Sequence, residues 1–335
     1  NIVFVHLTYV PIPAGVNEQK SKPTQQSVNL LQQRGIFPDI IIGRSPEFLT
    51  PEIKTKISNF CDVKSEAVIT GLDVDDIYEI PIIFEQEGLP ENLHKKLNIY
   101  SPPDLRKWKK LVDNIRNPDK EITIAMCGKY TKLEDSYASI IESFNHCSAH
   151  LRCKINLKWV EATGLKDASW LDQIDGLVVP GGFGSRGSEG KIEAIRLARE
   201  SNIPFLGLCL GLQLAVIEFA RHVCDMDDAN STEMDPETPH PVIDILPEQR
   251  TVTEKGGTMR LGAYPALLTE GSVVYSLYGA KEISERHRHR YEVNPDYHEA
   301  LKEKGMVFSG MSPNGKLVEF IELPELKFFC ATQAH

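Results

Sequence analysis

The sequence has no surplus of positive charge. Against 47 Asp and Glu residues it has 37 Lys and Arg residues, which gives a formal net charge of −10 at pH 7. Nucleic-acid phosphates and anionic membranes both bind broad positive surfaces. We therefore expect neither nucleic acid nor a membrane as a partner, and any phosphate site must depend on a local basic cluster.

The sequence also lacks paired cysteines. Its seven cysteines are an odd number, and no C-x-x-C motif occurs among them. This pattern fits a reducing compartment and disfavours structural zinc. We expect a cytoplasmic protein with no metal-ligand set of its own.

Long apolar runs are scarce. The only stretch with the length of a membrane span, residues 203–220, contains Pro204, Gln213 and Glu218. A buried strand entering a buried helix explains it better than a span does. The chain opens without the pattern of a signal peptide, and its apolar residues Asn1 to His6 predict a strand already in progress.

Predicted strands and helices alternate along the 335 residues, a length that fits about two domains. The alternation predicts an α/β fold, with two domains and mostly parallel sheets. The charged, proline-containing stretch around Pro118 is the best linker in the sequence. We therefore assign residues 1–113 to the first domain, 114–121 to the linker and 122–335 to the second domain.

One cysteine stands between two glycines in the sequence Gly207-Leu208-Cys209-Leu210-Gly211. An apolar strand pattern precedes it and an apolar helix pattern follows. A nucleophile on a sharp strand-to-helix turn needs small neighbours on both sides, and the next backbone N–H then faces a developing oxyanion. We interpret Cys209 as a nucleophile, with a buried structural cysteine as the alternative.

Upstream of this turn, residues 182–187 match G-x-G-x-x-G after a predicted strand. A dinucleotide site would need an acidic residue about twenty positions later, and a phosphate-binding P-loop would need Ser or Thr after Lys191, where Ile192 stands. Both interpretations are weak. A Pro-Gly-Gly turn near a nucleophile is better suited to forming half of an oxyanion hole.

Arginine and histidine alternate between Arg286 and Arg290, which as a strand places the arginines on one face and His287 and His289 on the other. Flanking guanidinium groups disfavour a metal, and an arginine fork for a carboxylate is the better interpretation. The last residue, His335, follows an apolar strand pattern, where a general base for Cys209 could stand.

Lys20 and Lys22 precede a predicted helix that begins near Pro23. Two ammonium groups beside free N–H groups suit a phosphate chain, although a solvated basic loop is an equal alternative. The three aspartates between Asp73 and Asp76 lack the glycine and distal glutamate of a calcium loop, so a solvated surface is favoured there.

Taken together, the motifs around Gly182, Cys209 and His335 resemble those of class I glutamine amidotransferases. The stretches 18–28, 73–81, 229–233 and 285–294 extend this resemblance to the CTP synthase family over nearly the whole chain. The resemblance implies an incomplete P-loop-type synthetase (amidoligase) domain followed by an amidotransferase domain. It also implies an ATP-dependent amination of UTP to CTP with ammonia from glutamine.

The resemblance implies a role for each matching position. Cys209 would be the nucleophile and His335 its base. The glutamine-binding set would be Gly181, Gly182, Leu210, Gly211, Leu212, Gln213, Glu233 and Arg290. The UTP and CTP set would be Lys20, Ser21, Lys22, Pro23, Thr24, Gln25 and Lys56. Val74 would contact the ATP adenine, and Phe183 and Arg260 are candidates for the ammonia tunnel or for coupling to GTP.

The family also implies ATP with Mg²⁺, GTP as an allosteric activator, and a homotetramer with filaments as a further assembly. Its ATP loop, magnesium ligands and triad acid fall outside the residues from Asn1 to His335, so we expect a fragment or a partial sequence. Two alternatives remain, a cysteine hydrolase of the same fold resembling γ-glutamyl peptidase and a non-catalytic regulatory fragment.

Overall fold

The computed structural model describes residues 2–129, 134–163, 168–182, 184–245 and 259–335. It divides into two compact units. One comprises Asn1–Asn117 with Ala149–Leu151, and the other comprises Pro118–Ser148 with Arg152–His335. Among the described residues, no helix has both the length and the apolar character needed to span a bilayer.

The first unit is built on a three-stranded parallel sheet of β1 (Val5–Tyr9), β2 (Ile40–Ser45) and β3 (Val68–Leu72), with β2 in the centre. Its helices are α1 (Lys22–Gln32), α2 (Pro51–Cys61), α3 (Ile80–Gln86), α4 (Leu89–Leu97) and α5 (Arg106–Arg116). Because all three strands run the same way, their carboxyl ends meet at one edge of the sheet, where ligands of α/β proteins bind.

The first strand begins later than the sequence predicts. We expected a strand over Asn1 to His6, but β1 pairs with β2 only from Val5, opposite Ile40. The backbone of Phe4 instead bonds to Asp39, whose carboxylate accepts from the Phe4 N–H at 2.9 Å. Apolar character alone could not locate the residue at which pairing starts.

The second unit contains a nine-stranded sheet in the order β11-β10-β13-β14-β15-β7-β6-β4-β5. From β15 to β5 all neighbours are parallel, and from β11 to β15 all are antiparallel. The α/β class is confirmed, whereas the antiparallel half was not foreseen. The strands of this sheet are β4 (Lys120–Gly128), β5 (Cys153–Glu161), β6 (Gly176–Val179), β7 (Phe205–Leu208), β10 (Arg260–Leu268), β11 (Glu282–His289), β13 (Val307–Met311), β14 (Val318–Glu322) and β15 (Phe329–Thr332).

A smaller sheet pairs β9 (His240–Ile245) with β8 (Ala229–Ser231) and β12 (Tyr291–Val293). The helices of the second unit are α6 (Ala138–Leu151), α7 (Ser188–Glu200), α8 (Leu210–His222), α9 (Val273–Tyr278) and α10 (His298–Glu303). Every residue of α8 from Leu210 to Ala220 is buried. This explains the long apolar run in the sequence as a core helix.

Candidate active site

Cys209 lies at the predicted turn between a strand and a helix. β7 ends at Leu208, α8 begins at Leu210, and Cys209 between them has φ 52° and ψ −101°. A non-glycine residue with positive φ costs on the order of 1–3 kcal/mol and persists only where the surroundings enforce it. Part of that enforcement is a hydrogen bond from the Cys209 backbone N–H to Thr332 O at 2.7 Å.

The two flanking glycines are required by close backbone approach. A Cβ atom at Gly211 would lie 2.2 Å from the carbonyl oxygen of Val179. A Cβ atom at Gly207 would lie 2.8 Å from the backbone of Gly211. Both distances are shorter than any carbon contact allows, so the turn can form only with glycine at these positions.

The Cys209 thiol is almost fully buried, with 3% of the residue exposed. Its pKa is raised to about 12, chiefly by burial and also by the charges of Glu292 and Glu233, against the lowering effect of the Leu210 N–H and the Gln333 side chain. The sulfur is therefore protonated in the free protein. It needs a base to become a nucleophile.

The C-terminal strand brings His335 to the same place. A Cβ atom at Gly181 would lie 2.9 Å from His335 Nδ1 and 3.5 Å from Cys209 Cβ, so the imidazole and the cysteine converge on this glycine. Burial lowers the pKa of His335, and the nearby Arg286 and Arg288 lower it further. A neutral imidazole can accept a proton, which is what a base for Cys209 must do.

A cavity of about 560 Å³ opens beside His335 and is also lined by Gly181, Thr332 and Arg286. The His335 backbone N–H donates to Arg286 O at 2.7 Å, which fixes the end of the chain against β11. The imidazole is therefore held at the wall of a solvent-accessible space.

Glu233 and Arg290 bring charges of opposite sign near Tyr291, and Glu233 also raises the pKa of Cys209. The Gly184 N–H donates to Glu233 Oε1 at 3.3 Å, so the glycine loop and Glu233 are in contact. The pKa of Tyr291, raised chiefly by burial, is raised further by Glu233 and lowered by Arg290. Glu233 and Arg290 thus both lie near Tyr291, and they offer one carboxylate and one guanidinium. Phe183 lies outside the described residues.

Gln213 is buried within the first turn of α8, and its amide is already in use. Its Nε2 donates to Tyr291 O at 3.0 Å and to Gln333 Oε1 at 3.3 Å. The sequence assigned Gln213 to glutamine binding on resemblance alone. In the structure only its Oε1 is left to face a ligand, because both Nε2 hydrogens serve the protein.

The alternation of arginine and histidine has the predicted consequence. His287 and His289 are buried while Arg286 and Arg288 are exposed. The two imidazoles contact each other, with His287 Nδ1 2.9 Å from His289 Nε2. Arg290 follows the end of β11 and is half-buried.

Sequence reasoning missed a buried charge network behind these histidines. Arg260 Nη2 donates to Glu319 Oε1 at 2.6 Å and its Nη1 to Glu292 Oε1 at 3.4 Å. All three side chains are less than a tenth exposed. Arg260 is a candidate for the tunnel or for GTP coupling, but its guanidinium is paired with two buried carboxylates. The residues come from three distant strands, so no local pattern could have revealed them.

The predicted phosphate site lies at the carboxyl edge of the three-stranded parallel sheet in the first unit. Lys20 Nζ lies 2.8 Å from Glu18 Oε2. The hydrogen bond and charge of Lys20 lower the pKa of Glu18, and the charge of Lys56 lowers it further. Lys56, on α2, is therefore close to the Lys20 cluster, as the resemblance implies. Lys22 and Pro23 are exposed in the first turn of α1.

The other residues of the predicted UTP and CTP set, Ser21, Thr24 and Gln25, form hydrogen bonds within the protein. The Thr24 hydroxyl donates to Tyr9 O at 3.2 Å and is fully buried. Gln25 Nε2 donates to Ser21 Oγ at 3.1 Å. These three residues shape the start of α1 and can meet a ligand mainly through the backbone. Val74 follows β3 at the same sheet edge and is half-buried.

Comparison with known proteins agrees with this geometry. The family described as "Glutamine amidotransferase class-I" matches residues 132–335, and the chain belongs to that family. Residues 1–99 match a second family, described as "CTP synthase N-terminus". The resemblance to CTP synthases inferred from the sequence is thereby confirmed, and the peptidase alternative gains no support.

Individual relatives span the whole chain. A CTP synthase of Methanococcus maripaludis is 54% identical over 345 residues, and one of Borreliella burgdorferi is 53% identical over 342. In both alignments all of this chain is covered and 64% of the relative. The chain thus spans about two thirds of the length of these relatives.

Among solved structures, the Trypanosoma brucei CTPS glutaminase domain with bound acivicin matches with a TM-score of 0.59 and 37% identity. The match covers 64% of this chain and 85% of that one.

Proposed function

We propose that this chain provides the glutamine-hydrolysing site and part of the nucleotide site of a cytoplasmic CTP synthase. The observation that carries the proposal is the convergence of Cys209, His335 and the Leu210 N–H on a strained turn, with Glu233 and Arg290 both near Tyr291. A nucleophile, a base and an oxyanion donor are the parts that amide hydrolysis needs. Similarity to CTP synthases over the whole of this chain, and over 64% of the relative, supports the destination of the ammonia.

The charges of free glutamine are complementary to those of Glu233 and Arg290. Free glutamine carries an α-ammonium and an α-carboxylate, which Glu233 and Arg290 would bind, with Gln213 Oε1 as a further acceptor for the ammonium. The backbones of Gly211 and Leu212, in the first turn of α8, would border the same pocket. The side-chain amide would then be directed to Cys209.

The reaction proceeds in two steps. As His335 takes the thiol proton, Cys209 Sγ bonds to the amide carbon, and the carbonyl oxygen gains charge that the N–H groups of Leu210 and Gly182, beside Gly181, would stabilise. The carbon–nitrogen bond then breaks, His335 returns the proton to nitrogen, and ammonia leaves. Water, deprotonated by His335, hydrolyses the thioester to glutamate and restores the thiol.

The ammonia would be used at the other unit. Lys20, Lys22 and Lys56 would bind the phosphates of UTP, or of CTP as an inhibitor, and Val74 would contact the adenine of ATP. ATP would activate the uracil 4-oxygen, which ammonia then replaces.

Mg²⁺ would accompany ATP, but the described residues contain no group of three His, Cys, Asp or Glu side chains able to hold a metal. No step on this chain is assigned to that ion. GTP activation and a homotetramer, with filaments, complete the proposal.

The test is Cys209→Ala in the full-length protein. Glutamine hydrolysis should fall by at least about a thousandfold, because the nucleophile is lost, while CTP formation from UTP, ATP and added ammonium should persist. Cys147→Ala is the matched control, since Cys147 is an exposed free cysteine, and it should leave both activities unchanged. Hydrolysis retained by Cys209→Ala would contradict the assignment, and a wild-type protein that makes no CTP from ammonium would contradict the function.

A further inference from the structure

Gln333 lies directly behind the sulfur of Cys209 and is completely buried. Its Nε2 is 3.8 Å from Cys209 Sγ, within the range of a hydrogen bond to sulfur. Neither the sequence motifs nor the family resemblance assigned a role to this residue. Its position two residues before His335 places a polar amide where an apolar side chain could have filled the core.

The orientation of the Gln333 amide follows from its neighbours. The carbonyl oxygen of Tyr291 can only accept, so the Gln213 atom 3.0 Å from it must be the Nε2 donor. The same Gln213 Nε2 lies 3.3 Å from Gln333 and therefore needs an acceptor there, which is Oε1. The nitrogen of Gln333 is consequently turned toward the sulfur. A flipped amide would set two donors against each other.

A donor aimed at sulfur favours one protonation state. A neutral thiol is a weak acceptor, whereas a thiolate accepts strongly and draws the donor closer. The Leu210 N–H acts on the sulfur in the same direction as Gln333. The carboxylates of Glu292 and Glu233 act in the opposite direction, because both raise the Cys209 pKa.

We propose that Gln333 is a positioning residue that orients the Cys209 sulfur and stabilises its thiolate, held in place by the hydrogen-bonded chain Tyr291 O, Gln213, Gln333. This role deepens the proposed glutaminase function and rests on it. Because Gln213 belongs both to this chain and to the proposed glutamine pocket, one side chain links substrate binding to the state of the sulfur.

The experiment uses Gln333→Met, which keeps the side-chain length and removes the donor. The rate of Cys209 alkylation by iodoacetamide is measured against pH and assigned by peptide mass spectrometry, because other free cysteines also react. The rate at neutral pH should fall about tenfold, because a smaller fraction of the sulfur is then thiolate. The kcat for glutamine hydrolysis should fall about tenfold while KM changes less than twofold.

Gln333→Glu is the second variant, isosteric but carrying an acceptor where the donor stood. It should lower the alkylation rate at neutral pH at least as much as Gln333→Met does. Gln173→Met is the control, since Gln173 lies in the same unit and its side chain accepts from Lys158 instead. It should leave that rate unchanged.

Folded Met and Glu variants with the wild-type alkylation profile would overturn the proposal. A merely structural role would lower thermal stability and kcat without lowering the alkylation rate at neutral pH, and that result would also count against the proposal. If the wild-type protein hydrolyses no glutamine, the proposed function fails on that result alone. The alkylation profile still measures the effect of Gln333 on the sulfur.

Discussion

At the scale of single residues, the site depends on contacts that tolerate no added atom. Gly211 has its α-carbon so close to the Val179 carbonyl that the turn carrying Cys209 excludes any side chain there. Gly181 is similarly constrained, since its missing Cβ is the space in which His335 and Cys209 meet. Small residues here act as spacers that set the distance between reacting groups.

We expect Gly211→Ala to lower the free energy of unfolding by about 2 kcal/mol or more, because the methyl group would meet backbone that cannot move independently. Glutamine hydrolysis should fall with it, as the displaced turn moves Cys209. Urea unfolding and a glutaminase assay measure the two effects. Gly182→Ala is the stability control, since its Cβ would meet Leu210 Cδ2 at an ordinary 3.8 Å. Equal stability of the two variants would contradict the prediction.

The sequence was informative about Cys209 because the signal was local, with a glycine on each side and a strand before it. It was uninformative about Gln333, whose partner Gln213 is 120 positions away in the chain. Glutamine in an apolar strand has no distinctive spacing. Only the pairing of β15 with β7 brings these side chains together.

At the scale of secondary-structure elements, α7 and α8 are joined by a buried ion pair. Glu218 on α8 is fully buried and accepts from Arg199 Nε at 3.0 Å and from Nη2 at 2.8 Å. This two-point contact links the helix that follows the glycine loop to the helix that follows Cys209. It keeps the two elements that shape the site in a fixed relation.

Removing the buried carboxylate of Glu218 should therefore lower the free energy of unfolding more than removing an exposed carboxylate does. Glu218→Ala leaves a largely buried guanidinium without its main partner, and we expect the free energy of unfolding to fall by about 3–5 kcal/mol. Glu200→Ala, on the same helix as Arg199, removes a carboxylate with 46% of its side chain exposed and should cost less than about 1 kcal/mol. Urea titrations of both variants decide the matter, and a loss below 1 kcal/mol for Glu218→Ala would refute it.

Periodicity predicted most elements with their type, and several with nearly correct ends. The helix expected to begin near Pro23 is Lys22–Gln32, and the strand and helix expected over 203–220 are Phe205–Leu208 and Leu210–His222. The antiparallel half of the large sheet escaped prediction, because a strand's direction leaves no mark in its own residues. The boundary assigned to residues 114–121 also contains the end of α5 and the start of β4.

At the scale of the whole molecule, the second unit buries two carboxylates, Glu292 and Glu319, beside a single guanidinium, Arg260. One positive charge balances only one of the two carboxylates. Burial raises the pKa of Glu292 to about 8 and also raises that of Glu319. Burial also lowers the pKa of His287 to about 4 and that of His289 to about 3, so both imidazoles are neutral near pH 7. The network thus retains one proton on its carboxylates.

This proton makes stability depend on pH. The pKa of Glu292 is raised on folding from 4.5 to about 8, so its contribution is fully present below the unfolded value and is lost as pH rises through the folded one. Glu292→Gln mimics the protonated acid at every pH. From pH 5 to pH 9, the free energy of unfolding of the variant should rise by at least about 2 kcal/mol relative to that of the wild type.

Thermal melts of the two proteins across that pH range provide the measurement. The histidines titrate in both proteins and cancel in the comparison. Glu325→Gln, at an exposed site, should stay parallel to the wild type throughout. A constant difference between Glu292→Gln and the wild type would show that the carboxylate is ionised over the whole range.

The pairing of β7 with β15 has a consequence for how such a protein can evolve. Cys209 and Gln333 are 124 positions apart in the chain, yet their spacing is fixed by the register of two four-residue strands, in which Leu208 faces Thr332. Connections between those strands can lengthen, shorten or acquire new surfaces without altering the reacting atoms. A single insertion inside either strand, by contrast, would turn the wrong side chain toward the sulfur. The spacing of these two side chains is thus set by eight residues, and the surface loops between the strands can vary as long as Gln213, Glu233 and Arg290 keep their places.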